Sequence, residues 1–422
     1  MRRFSHLVLL VLLADTVPQT APQPAPSPVG SVRAATADAS WRQDGGDPGR
    51  SGHQPVTRDL DAAAATRLEQ RWAAPATRAD EQIGGAVVVD GTLFRSSGGR
   101  TGQIRRYDAV TGRDLGAIVD VPGRRFGQLA VVDGTVVVES ADIVPFDVPG
   151  HGAVPAGRHL SAYTSSGETR WELVLADAVS GGFTIGDGLV VRSAGATLSA
   201  HRLTDGAQVW TAPLGGEPGY HPPVLAGGLV LQATEDGPAL LAFDAATGAP
   251  AWQRKASGAE LAARSGTVYT LGPAGVCAYA VTDGAQRWCD TTTVERPSRA
   301  TVSDEALFVV GGTGDLAAFG VADGAVRWRS GYGLGWETST SYWSPVNGGG
   351  VVYLMAYHFD VRDGDPRHRT ELVAADARTG ALVTRLDLDF SALHGAEPLL
   401  LSADHVYFAA LEALFALAPD LR

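Results

Sequence analysis

The chain has one lysine (Lys255), one asparagine (Asn347) and two cysteines (Cys277 and Cys289) among 422 residues, and no apolar run long enough to cross a bilayer. Each scarcity narrows the function. A membrane-spanning helix needs about 20 consecutive apolar residues, whereas the N-terminal run "LVLLVLLA" ends at Ala14 after starting at Leu7. Placed behind Arg2 and Arg3, that run has the layout of an export signal. Cleavage after Ala21 and after Ala34 both fit, and no cysteine lies nearby to carry a lipid anchor. The Pro-rich segment 18–30 reads as an extended spacer or discarded leader. A soluble, secreted or extracytoplasmic monomer is therefore expected.

Positive charge is also short, with 34 Lys and Arg against 46 Asp and Glu, a formal net charge of −12. Nucleic-acid binding draws most of its affinity from clustered basic side chains, so no nucleic-acid partner is expected. What the chain does have is 52 glycines and 45% hydrophobic residues. That composition describes a globular, turn-rich protein of many short strands.

The glycines fall into a repeat. "AFDAATGAPAW" (242–252) returns as "AYTSSGETRW" (162–171), "AHRLTDGAQVW" (200–210), "AYAVTDGAQRW" (278–288) and "AFGVADGAVRW" (318–328). Two further copies, 106–116 and 374–384, keep Asp and Thr-Gly but put Gly116 and Thr384 in the Trp position. Trp72 stands on a strand with no turn before it, and "LFALAPD" (414–420) is a strand with no turn after it. The two ends complement each other. Eight units spaced by about 40 residues, each with four strand-like segments, indicate an all-β, eight-bladed propeller of four-stranded antiparallel blades. The N-terminal strand then closes the ring against the C-terminal blade. The expected organisation is a signal and leader over 1–34, an extended lead-in over 35–66 and the propeller over 67–422.

Within each unit, the turn glycine (Gly112, Gly206, Gly248, Gly284, Gly324 and Gly380) supplies a positive φ, while Asp and Thr cap the turn's own amides. The tryptophans Trp72, Trp171, Trp210, Trp252, Trp288 and Trp328 are expected to cover the neighbouring blade, each with its indole N–H on a backbone acceptor. A three-residue loop at Thr282, Asp283 and Gly284 sets Cys277 opposite Cys289, a cross-strand disulfide, whereas a two-residue loop would offset them to opposite faces.

The Ala-x-Asp-x-x-Thr-Gly-x-x-x-Trp unit resembles the pyrroloquinoline-quinone (PQQ) repeat of the quinoprotein alcohol dehydrogenase-like superfamily, and residues 40–72 resemble its lead-in. The resemblance covers about residues 40 to 422. It implies the propeller fold and two kinds of function: PQQ- and calcium-dependent oxidation of an alcohol or sugar, or a non-catalytic role such as that of the outer-membrane assembly lipoprotein. The dehydrogenases use calcium held by carboxylate and amide side chains, an Asp base and commonly a disulfide between adjacent cysteines. This chain departs from that pattern, with no adjacent cysteines and a single asparagine. The expectation is a binding or scaffold module without cofactor; the alternatives are a quinoprotein dehydrogenase and an envelope-protein assembly factor.

The first and third hairpins of every blade open on one face with tight turns, whereas the long segments 141–158, 213–223, 329–344 and 357–369 all fall on the other. Loops on a rigid scaffold carry most binding groups, so the long-loop face is the candidate site for a protein or small ligand. Tyr332, Trp336, Tyr342 and Trp343 stand outside the repeat grammar as a candidate aromatic platform, and Tyr220 and His221, in the segment 213–223, are further candidate binding residues on that face. His221 shows no acid or base partner at a readable spacing. Asp360, Asp363 and Asp365, with His368, suggest hard-cation ligands, but the glycine and glutamate of a calcium loop are missing, so a solvated hairpin is expected there. No catalytic residue is assigned.

Overall fold

The computed structural model describes residues 39–420 apart from 76–81, 145–153, 177–179, 220, 236–238, 257, 259, 313, 333–338, 343–344, 363–364, 389–398 and 411–412, and gives backbone only at 82–83, 144, 154–156, 180, 339–342, 357–362, 365–369 and 410. Residues 37–422 form one unit of eight sheets, antiparallel throughout except where His53–Gln54 pairs parallel to blade 7. Blades 1 to 6 are residues 82–122, 124–175, 180–213, 224–255, 260–290 and 297–331, each with four strands in chain order. Blade 7, residues 346–388, gains two additional strands, His53–Gln54 on its first strand and Ser339–Tyr342 on its second. Blade 8 takes three strands from 400–419 and its fourth, Leu68–Pro75, from the N-terminal end. The ring is thus closed non-covalently, as the half copies at the two ends imply.

Each first strand touches the first strand of the next blade, and Leu400–Leu401 of blade 8 completes the circuit against Gln82–Val89 of blade 1. First strands are therefore innermost and fourth strands form the perimeter. Inner and middle strands are almost wholly apolar and buried, as in Val136–Val138 or Leu316–Phe319. The perimeter strands alternate, as Gln208–Pro213 does with only Trp210 and Ala212 turned inward. Half-buried strands require this period-two pattern.

The six repeat tryptophans bind blade to blade. Each indole N–H donates to a carbonyl in the turn of the following blade (Ala109, Leu203, Ala245, Val281, Val321 or Ala377) at 2.9–3.2 Å. Each ring also lies on that turn's glycine, where a Cβ would come within 2.5–2.8 Å of the indole. The glycine is thus required twice, for its φ of +68° to +71° and for the space the ring occupies. The alanine of the motif is explained by register: Ala162, Ala200, Ala242, Ala278, Ala318 and Ala416 each pair directly with the tryptophan of their own blade. Turn chemistry comes in two spellings. In Asp-x-x-Thr-Gly, Asp244 accepts from the Thr247 amide at 2.9 Å and its hydroxyl at 2.7 Å; in Asp-Gly, Asp283 accepts from the Ala285 amide at 2.9 Å.

Cys277 and Cys289 form a disulfide, with Cα atoms 4.1 Å apart. The expected pairing is present, but the loop is not the three-residue one. Tyr279 pairs with Gln286, and a β-bulge just before Trp288 restores the register that sets Cys277 against Cys289. The same shift precedes the tryptophan, or the residue replacing it, in every blade. A bulge adds one residue and local twist, which aims the indole at the neighbouring blade.

Candidate functional site

The two faces differ in what covers them. On the tight-turn face, residues 41–58 run round the inner rim and visit the blades in order. Trp41 pairs with Val88 of blade 1, and the carbonyls of Arg42, Pro48, Gly49, Ser51 and Gly52 accept from the amides of Val131, Leu225, Ala263, Val302 and Asn347 in blades 2, 4, 5, 6 and 7. Gln43 serves blade 3, where its side-chain oxygen accepts from Ile185 at 2.8 Å, and Gln54 serves blade 8, donating to the Leu401 carbonyl at 3.1 Å. Every contact lies at the end of an inner strand that leads into the first hairpin.

The opposite face is reached at the start of the inner strands. His221 lies just ahead of Val224–Ala226 in blade 4, Glu260 opens Glu260–Arg264 in blade 5, and Arg299 lies in Pro297–Val302 of blade 6. His221 Nδ1 is 2.9 Å from Glu260 Oε2, its Nε2 is 3.4 Å from Glu235 Oε1, and Arg299 Nη1 is 3.2 Å from the same Glu260 oxygen. Burial alone would raise the Glu260 pKa. The hydrogen bond from His221 and the charges of Arg50, Arg299 and His221 outweigh it and hold the group at about 2. Arg50 belongs to the segment on the other face, where its Nη2 donates to Asp44 at 2.8 Å. Its charge thus acts on Glu260 through the middle of the ring.

Chemically, both nitrogens of the His221 ring face carboxylates, which leaves neither paired with a nucleophile. The arrangement is a fixed cluster of alternating charge, suited to recognising a polar partner. A second network lies at the same end of blade 2, where the buried His159 stands between Asp142 at 2.9 Å and Glu172 at 3.3 Å, with Arg124 Nη1 on Glu172 at 2.7 Å.

Against the sequence reading, His221 does have acid partners, and that expectation is corrected. The missed signal was the blade period. Glu260 and Arg299 lie three residues before the equivalent inner-strand positions Ala263 and Val302, and His221 lies four before Leu225, so Glu260 and Arg299 share one repeat position and His221 is one residue from it in the preceding blade. Tyr332 is buried between blades 6 and 7, its hydroxyl donating to the Gly380 carbonyl at 3.0 Å. Tyr342 is described by backbone only, in register with Ala356. Tyr220, Trp336 and Trp343 lie outside the described residues, as does Asp363. The segment 357–369 continues two strands of blade 7 as a hairpin in which Asp360 pairs in register with Arg367, and Asp365 with Arg362.

These features define a propeller of PQQ-like repeats with one face covered by residues 41–58 and the other left open among the described residues. The family described as "Outer membrane protein assembly factor BamB" matches residues 156–301 and 273–387, together more than half of the chain, and the chain belongs to that family. No curated protein matches it in sequence. Among solved structures it is similar to BamB from Moraxella catarrhalis, with 17% identity and a TM-score of 0.59 over 84% of this chain and 98% of that one. It is also similar to the quinohemoprotein alcohol dehydrogenase ADHIIG from Pseudomonas putida HK5, with 11% identity and a TM-score of 0.62 over 90% of this chain and 80% of that one. At such identities the likeness shows the fold. Among the described residues, no helix is long and apolar enough to cross a membrane.

Proposed function

We propose that the chain is an exported, non-catalytic binding propeller that takes a protein partner on its long-loop face. One observation carries this reading: residues 41–58 and the short turns cover one face, while the unrepeated segments and the His221–Glu260–Arg299 cluster share the other. The family description supports a protein as the partner and envelope-protein assembly as the process. Tyr220, Trp336, Tyr342 and Trp343 remain proposed contributors on the same face.

The likeness to a quinohemoprotein dehydrogenase motivates the second reading. Its donor set does not fit the residues described. The disulfide spans the third and fourth strands of blade 5, with Cys289 exposed on the perimeter. The amide of Asn347 is held between His53 and Thr301 on the covered face, and Glu260 is engaged by His221 and Arg299. No redox step is assigned. The two readings separate when PQQ and calcium are added to the purified protein. The binding-module reading predicts neither saturable quinone binding nor dye-linked oxidation of alcohols or sugars, and turnover would overthrow it. Double substitution of Trp336 and Trp343 by alanine should then weaken partner capture without changing the melting temperature.

A further inference from the structure

We propose that residues 41–58 are a stopper, seated and released as one unit, that closes the tight-turn end of the ring. The inference goes beyond the binding role and stands without it, because it concerns how that end is closed.

Three observations carry it. The first is continuity, since one segment bonds to the inner strand of every blade in ring order, and each bond satisfies a polar group on an otherwise unpaired strand edge. The second is closeness of fit. A Cβ on Gly49 would lie 2.2 Å from the Ala263 carbonyl oxygen, and one on Gly52 would lie 2.7 Å from Thr301 Oγ1. The backbone is therefore in contact with the wall where "DGGDPGRSG" crosses blades 5 and 6. The third is anchoring by buried side chains: Trp41, Gln43, Ser51 and Gln54 are all buried. Arg264 adds an ionic pin, with its Nε 2.8 Å from Asp304 and its Nη1 3.9 Å from Asp47 of the stopper.

A segment held by one hydrogen-bonded contact to each of the eight blades opens cooperatively or not at all. Its seating also fixes Arg50, whose charge lowers the Glu260 pKa, so the stopper contributes to the electrostatics of the His221–Glu260–Arg299 cluster.

Native-state hydrogen exchange on the full chain tests this without any ligand. The amides of Val88, Val131, Leu225, Ala263, Val302 and Asn347 should be protected in the unmodified protein and exchange with rates within about tenfold of one another, as a single opening unit requires. Gly49→Val, which forces a side chain against the Ala263 carbonyl, should lower the protection of all six together by at least ~100-fold while far-ultraviolet circular dichroism stays unchanged. Six unrelated rates in the unmodified protein, or a loss confined to Ala263 in the variant, would overturn the proposal. The first measurement needs no variant, so misfolding of Gly49→Val leaves the proposal exposed to refutation.

Discussion

At the scale of single residues, the turn glycines separate two costs that are normally confounded. Gly188 has a φ of +75° and nothing within 4 Å of the point a Cβ would occupy, whereas Gly248 has a φ of +71° and the Trp210 ring 2.6 Å from that point. Gly188→Ala therefore bears only the left-handed backbone penalty, about 1–2 kcal/mol. Gly248→Ala adds overpacking against the indole, about 1–3 kcal/mol more. Urea midpoints should rank them in that order, and equal losses would show that the indole contact is immaterial. Glu260 supplies a pH signature. Its folded pKa of about 2 lies below the ordinary 4.5, so its contribution to stability is present above 4.5 and is lost as pH falls towards 2. Glu260→Gln should cost up to about 3 kcal/mol at neutral pH and flatten the stability profile over that window. A variant with the same acid profile as the parent would refute this electrostatic account. The disulfide closes a short loop, so its removal should cost no more than about 3 kcal/mol.

At the scale of elements, the strands and their order were legible because every unit sets short apolar-rich stretches between glycine turns and ends on one that alternates apolar and polar residues. The tryptophan spacing even located the two blades that lack an indole, at Gly116 and Thr384. The bulge was not legible. It leaves no residue type behind, and a simple loop count happens to bring Cys277 and Cys289 together by another route. The lead-in was legible as a segment but not as a path, since most of its contacts to the eight blades are backbone carbonyls that any sequence supplies, and only those of Gln43 and Gln54 use side chains. Only its glycines, placed against the wall at Gly49 and Gly52, hint at the closeness of the fit. The candidate site was half legible. Loop lengths pointed to the face, but Glu260 and Arg299 sit on regular strands and become visible only when the repeat is used as a ruler. Among the elements, Leu68–Pro75 matters most, because it supplies both the last sheet's perimeter and the Trp72 contact into blade 1. Its deletion should leave the edge of Ala413–Pro419 open and abolish cooperative thermal unfolding. A truncated chain that melts as sharply and as high would contradict the ring closure.

At the scale of the whole molecule, residues 37–422 form a ring of alike sheets whose two faces have diverged. Repetition built the covered face: tight turns, and one segment that treats all eight blades alike. Departure from repetition built the other, with longer connections, an extended blade 7 hairpin and a charge cluster assembled across blades 4 to 6. Function is assigned to the face where the repeat is broken. Site-specific photo-crosslinking tests that assignment most directly, with the reactive group placed at the exposed Glu217 and Ser298 on the open face and at the exposed Asp205 and Asp283 on the tight-turn face. In envelope extracts the account predicts discrete adducts from the first pair and none from the second. Adducts from Asp205 and Asp283 alone, or equally from both pairs, would contradict it.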